Sequence, residues 1–307
     1  MSSILIKFGG YQPAASIHTR AAQFFGEILK QKLGDRVEFQ LIGDVLALGR
    51  QSGDLLPMVE RGELSLCYIS TVRFTHAVSE FRLLEIPFVV SNRNTINRAL
   101  DGKLGDQLKR RVRDTLPVRV LGFWDNGFRH LSNRVRPIRT PADCRGIRIR
   151  TQMSESHGEV FRALGFEPVA ADIKEFIEQI DGGKFEAQDN PLTNIYLFGI
   201  HNHHRYITLS GHFYGASALT CNEAHYQSWP REVRNVVDTA AVEATALQRR
   251  LAVAQDAEVL EKLNPRANDV IHLTASERQA FVDTVEPVLA KYRRELDPKL
   301  LIDALHK

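Results

Sequence analysis

Short apolar strands alternate with amphipathic helices through most of this chain, and this alternation limits its fold more than any other feature. The opening segment Ile4–Gly9 is apolar and rich in β-formers, and apolar residues then recur at helical spacing from Ala21 to Leu29. Further strand-like segments occur at Val37–Ile42 and Leu64–Ile69, with helix-like sequence between them. Because parallel strands need crossover helices, the pattern predicts an α/β fold whose largely parallel sheet is covered by helices on both faces.

A different pattern begins near the middle of the chain. The segment Val118–Ser132 predicts two strands joined by an Asn126-Gly127 turn, because both residues tolerate the positive φ angles of a tight hairpin. Two more strands are expected at Tyr206–Ser210 and Gly215–Cys221. Strand-rich sequence therefore lies on both sides of the midpoint.

The length and the helical C-terminal part suggest how the chain is divided. At 307 residues it is long enough for two domains of roughly 150 residues each. Helical periodicity runs almost unbroken through Glu232–Leu263 and returns in Ser276–His306. We expect residues 1–125 to form mainly a first lobe and residues 126–212 mainly a second. Residues 213–307 then supply a crossover strand and long helices that pack on both lobes.

The composition is that of an ordinary globular protein. Hydrophobic residues make up 43% and charged residues 25%, and no stretch approaches the ~20 apolar residues of a membrane span. The net charge of +3 comes from basic residues interleaved with acidic ones, which argues against a nucleic-acid surface. The start of the chain lacks the basic and apolar regions of a signal peptide. Since Cys67, Cys144 and Cys221 are far apart, we expect no disulfide.

A histidine cluster at His201, His203 and His204 raises the question of a metal site. The spacing offers no complete ligand set, so we interpret the cluster as a partly exposed loop and expect no metal. The sequence also lacks the glycine-rich phosphate-binding motifs, the zinc-protease helix motif and the hydrolase nucleophile motif. We therefore expect no cofactor.

Two arginines on predicted strands are the main candidates for binding an anion. The segment Gly146–Arg150 alternates apolar and basic residues, so Arg148 and Arg150 point to one face. An arginine at the carboxyl end of a strand points toward the crevice where α/β proteins usually bind ligands, and its planar fork can hold a carboxylate through two hydrogen bonds. The alternative for Arg150, and equally for Arg129, is an ion pair with a neighbouring acid. The sequence leaves both interpretations open.

The segment Gln188–Pro191 follows a predicted strand and precedes a predicted helix. The following proline biases Asn190 toward an extended conformation, and the Asn190 amide can both donate to and accept from a ligand. The alternative is a helix N-cap, with Pro191 as the first helical residue. For Asp189 and Asn190 the two interpretations are compatible.

Several segments of the chain together resemble a known family. The segments are Ile86–Phe88, Asn126–Arg129, Pro141–Arg150, Leu164-Gly165, Glu175 and Gln188–Pro191. In this order they resemble the solute-binding proteins of tripartite ATP-independent periplasmic (TRAP) transporters, of the dicarboxylate-binding-protein type. The likeness extends from Ile6–Gly9 to the C-terminal helices, which is nearly the whole chain.

The resemblance implies a two-lobed fold of the periplasmic-binding-protein kind, with a ligand cleft between the lobes and a long C-terminal helix bracing both. It places the principal carboxylate-binding arginine at Arg150, a second cleft arginine at Arg129 and the cleft asparagine at Asn190. The other cleft positions that it implies are Tyr11, Gln12, Ser70, Ile173, Phe213 and Tyr214. Two of these depart from the family pattern, since Ser70 replaces the glutamate of sialate binders and Ile173 replaces an aromatic ring. A sialate-like ligand is therefore not expected.

The function that the resemblance implies is capture of a small organic acid by hinge closure and its delivery to TRAP membrane subunits. The protein would be periplasmic and monomeric, and it would not be an enzyme. Hydroxy acids, sugar acids, keto acids and C4-dicarboxylates all remain open as ligands. The alternative is a ligand-sensing protein or an enzyme on the same scaffold. For an enzyme, His130, Asp172 and Tyr214 are the candidate acid or base groups, and they form no recognisable set.

Overall fold

A computed structural model describes residues 3–295, which fall into two compact units. Unit 1 takes the residues up to Ser79, together with Asn97–Asp125 and Ala216–Val253. Unit 2 takes Glu80–Ile96, Asn126–Gly215 and the residues from Ala254 onward. The predicted helical segment Ser276–His306 lies only partly within the described residues, which end at residue 295.

Strands and helices alternate along the described residues, which confirms the predicted α/β class. The strands are β1 (Ile4–Gly9), β2 (Val37–Ile42), β3 (Leu66–Ser70), β4 (Val118–Asn133), β5 (Arg148–Thr151), β6 (Glu167–Ala170), β7 (Ala187–Pro191), β8 (Tyr206–Asn222) and β9 (Asp269–His272). The helices are α1 (Ile17–Leu33), α2 (Leu55–Glu60), α3 (Arg93–Asp101), α4 (Lys103–Thr115), α5 (Glu155–Ala163), α6 (Ile173–Glu178), α7 (Leu192–Leu197), α8 (Glu223–Ser228), α9 (Arg231–Lys262) and α10 (Ala275–Glu295).

The sheet of unit 1 is mainly parallel. Strand β1 pairs in parallel with β2 and β3, and β3 pairs antiparallel with the carboxyl-terminal part of β8. Helix α1 begins after Ser16, whose hydroxyl accepts a hydrogen bond from the backbone N–H of Thr19 at 3.0 Å. Phe8 of β1, Tyr68 of β3 and Trp124 of β4 pack ring against ring, and each of them is buried. Burying each of these rings contributes about 1.5–3 kcal/mol, so this core fixes the ends of β1 and β3.

Unit 2 has the strand order β4-β7-β5-β6. Strand β7 is antiparallel to β4 and parallel to β5, and β5 is parallel to β6. Strand β9 pairs in parallel with the amino-terminal part of β8. The crossover helices bury one aromatic ring each: Phe161 of α5 packs on Phe166 and Phe213, and Phe176 of α6 packs on Phe185.

Strand β4 is continuous, so the predicted hairpin turn at Asn126-Gly127 is wrong. The expected turn needs positive φ at both residues, and here Gly127 has a φ of 89° while Asn126 does not adopt positive φ. The chain therefore continues as one strand of 16 residues. Strand β8 is likewise one strand of 17 residues where two were predicted, and Gly211, at a φ of 54°, lies within it. Each of these strands begins in one unit and ends in the other.

Helix α9 confirms the long C-terminal helix. It has 32 residues and passes from unit 1 into unit 2 after Val253. In unit 1, Arg249 of this helix forms two hydrogen bonds with the carboxylate of Asp101 and donates to the backbone oxygen of Phe123. None of the helices within residues 3–295 is both long and apolar enough to cross a bilayer.

Candidate functional site

The carboxyl ends of the parallel strands in unit 2 gather several predicted site residues at one edge of the sheet. The register pairs Arg150 of β5 with Gln188 of β7, and Asn190 of β7 with His130 of the antiparallel β4. Because cross-strand partners share a face and successive residues alternate, Arg150, Asn190 and His130 lie on one face. Arg129 lies on the opposite face. The structure thus brings Arg150 and Asn190 together and separates them from Arg129 by the sheet.

Arg150 is held in place by the loop between β6 and α6. Its side chain is buried, and its Nε donates to the backbone oxygen of Ala171 at 2.8 Å. The next residue, Asp172, caps α6 by accepting a hydrogen bond from the backbone N–H of Lys174 at 3.1 Å. Ile173, which follows Asp172 and is the first residue of α6, is also buried. The start of α6 therefore fixes both the plane of the guanidinium and the position of Ile173.

Arg129 forms a buried ion pair with Asp189. Its Nε lies 2.5 Å from Asp189 Oδ2, and its Nη2 donates to the backbone oxygen of Asp189 at 2.5 Å. His212 Nε2 lies 3.4 Å from the same Oδ2. Burial raises the pKa of the Asp189 carboxyl, but the charge of Arg129 and the contacts with His212 outweigh it, so that this pKa lies well below its ordinary value. The ion pair that the sequence left open for Arg129 is the arrangement observed.

A series of buried hydrogen bonds orients the amide of Asn190. Its Nδ2 donates to Gln188 Oε1 at 2.5 Å, and Gln188 Nε2 donates to Ser132 Oγ at 2.6 Å. Ser132 Oγ lies 3.0 Å from His204 Nδ1. Burial lowers the pKa of His204 to about 3, so its imidazole is neutral at pH 7 and can accept the Ser132 proton. Within residues 3–295, Asn190 Oδ1 has no hydrogen-bond partner and remains an acceptor.

The N-cap interpretation of Asn190 is wrong. Asn190 belongs to β7, Pro191 occupies the N-cap position, and α7 begins at Leu192. Pairing of β7 with β4 as far as Pro191 keeps the backbone extended one residue longer than the sequence suggested. The Asn190 side chain is thereby left to the face that it shares with Arg150.

Phe213 and Tyr214 are buried in unit 2. Phe213 stacks on His157 with ring centroids 4.1 Å apart and planes 8° apart, and His157 Nε2 lies 2.5 Å from Glu85 Oε2. Tyr214 packs edge-on against Phe128 at 5.5 Å. Sequence reasoning missed the Glu85–His157 pair, because its members are far apart in the chain. The one signal was that Glu85 directly precedes a segment that carried part of the resemblance.

The three candidates in unit 1 lie at the carboxyl edge of its parallel strands. Tyr11 and Gln12 follow β1, and Ser70 ends β3. The backbone N–H of Tyr11 donates to the hydroxyl of Tyr68 at 3.2 Å, and the two rings lie 5.4 Å apart. The backbone oxygen of Gln12 accepts a hydrogen bond from Thr19 at 2.9 Å. Unit 1 therefore presents these residues along one edge, as expected for the ends of parallel strands.

The histidines of the 201–204 cluster each have a different environment. His201 stacks on Tyr196 at 4.5 Å, His203 Nδ1 lies 2.8 Å from Asp181 Oδ1, and His204 is buried against Ser132. In the part of the chain that the structure describes, no group of three or more His, Cys, Asp or Glu side chains is arranged to hold a metal ion.

Known proteins share both the sequence pattern and the fold. The 2,3-diketo-L-gulonate-binding periplasmic protein YiaO of Escherichia coli is 24% identical over 280 residues, covering 91% of this chain and 84% of that protein. The sugar acid binding protein DctPAm of Advenella mimigardefordensis, in complex with galactonate, superposes with a TM-score of 0.94 at 21% identity, covering 99% of this chain and 97% of that one. A TRAP periplasmic solute-binding protein of Shewanella oneidensis with bound succinate gives a TM-score of 0.93 at 21% identity, covering 99% of this chain and 98% of that one. These likenesses confirm the predicted fold.

The family assignment comes from the sequence itself. Residues 8–295 match the family described as bacterial extracellular solute-binding protein, family 7. This confirms the resemblance that the ordered segments indicated. The chain belongs to the bacterial extracellular solute-binding protein family 7.

Proposed function

We propose that this protein binds a small organic acid by its carboxylate outside the cytoplasm, in the periplasm, and delivers it to TRAP transporter membrane subunits. Family membership supports the solute-binding role. The relatives and structural neighbours named above are described as binding diketogulonate, galactonate and succinate, all of which carry a carboxylate.

The position of Arg150 is the observation that carries the proposal. Its guanidinium lies at the carboxyl edge of β5, with its plane fixed by the bond from Nε to Ala171. Ligands of α/β proteins usually bind at this edge. A planar fork can hold a carboxylate through two parallel hydrogen bonds, and an orientation fixed in advance reduces the entropy lost on binding.

We assign Arg129 a secondary role. Asp189 already balances its charge, so Arg129 adds little attraction for an anion. Its Nε and Nη2 both bond to Asp189, on the face of the sheet opposite Arg150. In this proposal Arg150 binds the carboxylate, and Arg129 holds β7 in place through Asp189.

The family resemblance implies that residues of unit 1 also contribute to ligand binding. We propose that Tyr11, Gln12 and Ser70 contact the same ligand once the two units close around it. A decrease in the radius of gyration on adding the ligand, measured by small-angle X-ray scattering, would support closure. An unchanged radius at saturating ligand would contradict it.

We also propose that the protein performs no chemistry on its ligand. His130 has a pKa of about 3, lowered mainly by burial, which is far below that of a useful base at pH 7. Asp172 serves as the cap of α6. A search for turnover of bound acids by NMR should find none, and conversion of any bound acid would overturn this part.

A thermal-shift screen of organic acids tests the proposal as a whole. A ligand that binds only the folded state stabilises it by mass action. At one hundred times the Kd the gain in the free energy of unfolding is about 2.7 kcal/mol, and the melting temperature rises accordingly. At least one carboxylic acid should raise the melting temperature, and its uncharged amide should not. If no acid in a library of hydroxy, keto, sugar and dicarboxylic acids does so, the proposed function is wrong.

A further inference from the structure

His130 occupies a position from which it can contact a ligand bound at Arg150. It stands directly opposite Asn190 in the β4–β7 register, and the side chains of such pairs start about 5 Å apart. It shares the face of Arg150 and Asn190, and the residue as a whole is partly exposed. Sequence reasoning considered it only as the base of a hypothetical enzyme.

The structure fixes which ring nitrogen of His130 carries a proton. The backbone N–H of Gly211 donates to His130 Nδ1 at 3.1 Å, so Nδ1 must be the acceptor. The proton of the neutral ring is therefore on Nε2. Burial, assisted by the charges of His212, Arg93 and Arg129, lowers the pKa of His130 to about 3, which keeps the ring neutral. His130 thus offers one uncharged donor.

Asn190 offers the matching acceptor. The hydrogen bonds through Gln188 and Ser132 engage Nδ2 and leave Oδ1 without a partner among the described residues. In the structure Asn190 Nδ2 faces Gln188 Oε1, and reversing the Asn190 amide alone would place two acceptors against each other at 2.5 Å. In this orientation the two opposed side chains present a donor at His130 Nε2 and an acceptor at Asn190 Oδ1.

We propose, resting on the function proposed above, that His130 and Asn190 recognise a hydroxyl group near the carboxylate held by Arg150, so that the ligand is a hydroxy acid. A hydroxyl accepts from His130 Nε2 and donates to Asn190 Oδ1 at the same time. A keto oxygen satisfies His130 and leaves Asn190 without a donor. A methylene satisfies neither, and a second carboxylate places its charge against the Asn190 acceptor.

The test compares matched acids that differ only at this group. Titration calorimetry uses three sets: lactate, propionate and pyruvate; 2-hydroxyglutarate, glutarate and 2-oxoglutarate; and gluconate, 2-deoxygluconate and 2-ketogluconate. Both enantiomers of the short hydroxy acids are included. Each lost hydrogen bond weakens binding about tenfold, so in a set that binds, the hydroxy acid should bind about 100-fold more tightly than the deoxy acid and about tenfold more tightly than the keto acid.

Variants of His130 then assign the preference to its donor. His130→Phe removes both nitrogens and should lower the hydroxy-to-deoxy ratio about tenfold. His130→Gln keeps a donor and an acceptor and should retain most of the ratio, which guards against a fold defect in the phenylalanine variant. His272→Gln, at an exposed histidine of β9, is the matched control and should leave the ratio unchanged.

The two proposals fail in different ways. If the wild-type protein binds acids but prefers the deoxy or keto member, or if His130→Phe leaves the ratio unchanged, the inference is wrong and the proposed function stands. If neither these sets nor the broader acid screen gives a ligand, the proposed function itself is wrong.

Discussion

Arg129 and Asp189 form an ion pair whose side chains are 3% and 0% exposed, with 2.5 Å between Nε and Oδ2. Leaving either charge alone at such a site costs several kcal/mol, so each partner makes the burial of the other tolerable. The pair balances the charge of Arg129 within the protein before any ligand binds. This is why Arg150 and Arg129, though both arginines near one sheet edge, are assigned different roles.

Asp189→Asn should destabilise the protein strongly, because it keeps the shape of the side chain but leaves Arg129 buried without a counter-charge. Breaking a buried pair in this way costs about 3–5 kcal/mol in the free energy of unfolding. Urea unfolding at pH 7 measures the change.

Glu186→Gln is the matched control for this experiment. Glu186 pairs with Arg148 at 3.2 Å in the same sheet, but those side chains are 27% and 44% exposed. Removing that pair should change stability by about 0–1 kcal/mol. Similar losses in the two variants would mean that burial of the Arg129–Asp189 pair carries no special stability.

The position of Arg150 could be predicted from the sequence, whereas the partner of Arg129 could not. Alternation within the β5 segment and its place before a helix are local signals, and they put Arg150 at a strand end. The contact of Arg129 with Asp189 joins residues 60 positions apart and depends on the register between β4 and β7. No local pattern encodes that register.

The same distinction explains the error at Asn126-Gly127. An Asn-Gly pair favours a hairpin in isolation, but here the chain stays extended through the glycine and pairs with β7 from Arg129, two residues later. Long-range pairing outweighs a local turn preference, and the strand continues. The role of His130 was hidden for a related reason, since its tautomer is fixed by Gly211, a residue 81 positions away.

Arg150→Lys should weaken ligand binding while leaving the fold intact. Lysine keeps the charge but loses the planar fork, and we expect a loss of about 1.5–3 kcal/mol in binding, or roughly one to two decades in Kd. Titration calorimetry with the acid found in the screen measures this loss, beside melting curves without ligand.

Arg148→Lys, two residues earlier on the same strand, is the control for Arg150 and should leave the Kd unchanged. An affinity that survives Arg150→Lys, together with a lower melting temperature without ligand, would instead assign Arg150 to a structural contact.

Gly105→Ala should destabilise the protein although helix propensity predicts a gain. Gly105 lies inside α4, where alanine is intrinsically favoured over glycine by about 1 kcal/mol. A Cβ at this position would lie 1.8 Å from the backbone oxygen of Leu100, which cannot move without displacing α3. We expect a loss of at least about 2 kcal/mol in urea unfolding.

Gly158→Ala, in α5, is the counterpart of that variant. Its Cβ would meet the flexible end of Arg162 at 3.4 Å, so the propensity gain should remain. Equal effects of the two alanines would show that the contact at Leu100 does not constrain the α3–α4 junction.

His18 should make the stability of the protein fall in mild acid. It is buried between Tyr68 and Trp124, with ring centroids 5.0 Å and 5.9 Å away, and neither of its ring nitrogens has a hydrogen-bond partner within residues 3–295. Burial lowers its pKa from 6.5 to about 3. Between these values the unfolded chain binds a proton that the folded chain does not, so stability falls as the pH decreases through 6.5 and continues to fall toward 3. The slope from one such histidine is about 1.4 kcal/mol per pH unit, or about 2 kcal/mol at pH 5.

His18→Phe should remove this contribution, because phenylalanine fills the aromatic site without a titrating group and leaves no partner unsatisfied. Urea unfolding between pH 5 and pH 7.5 measures how the free energy of unfolding depends on pH. In the variant this dependence should be less steep than in the wild type, by the uptake of about one proton on unfolding. His272→Gln, at an exposed histidine, should leave the slope as it is. His130 and His204 also have pKa values lowered to about 3, so the His18 variant should retain part of the acid sensitivity. If its slope equals that of the wild type, His18 is not held neutral in the folded state, and its burial does not make acid destabilise the protein.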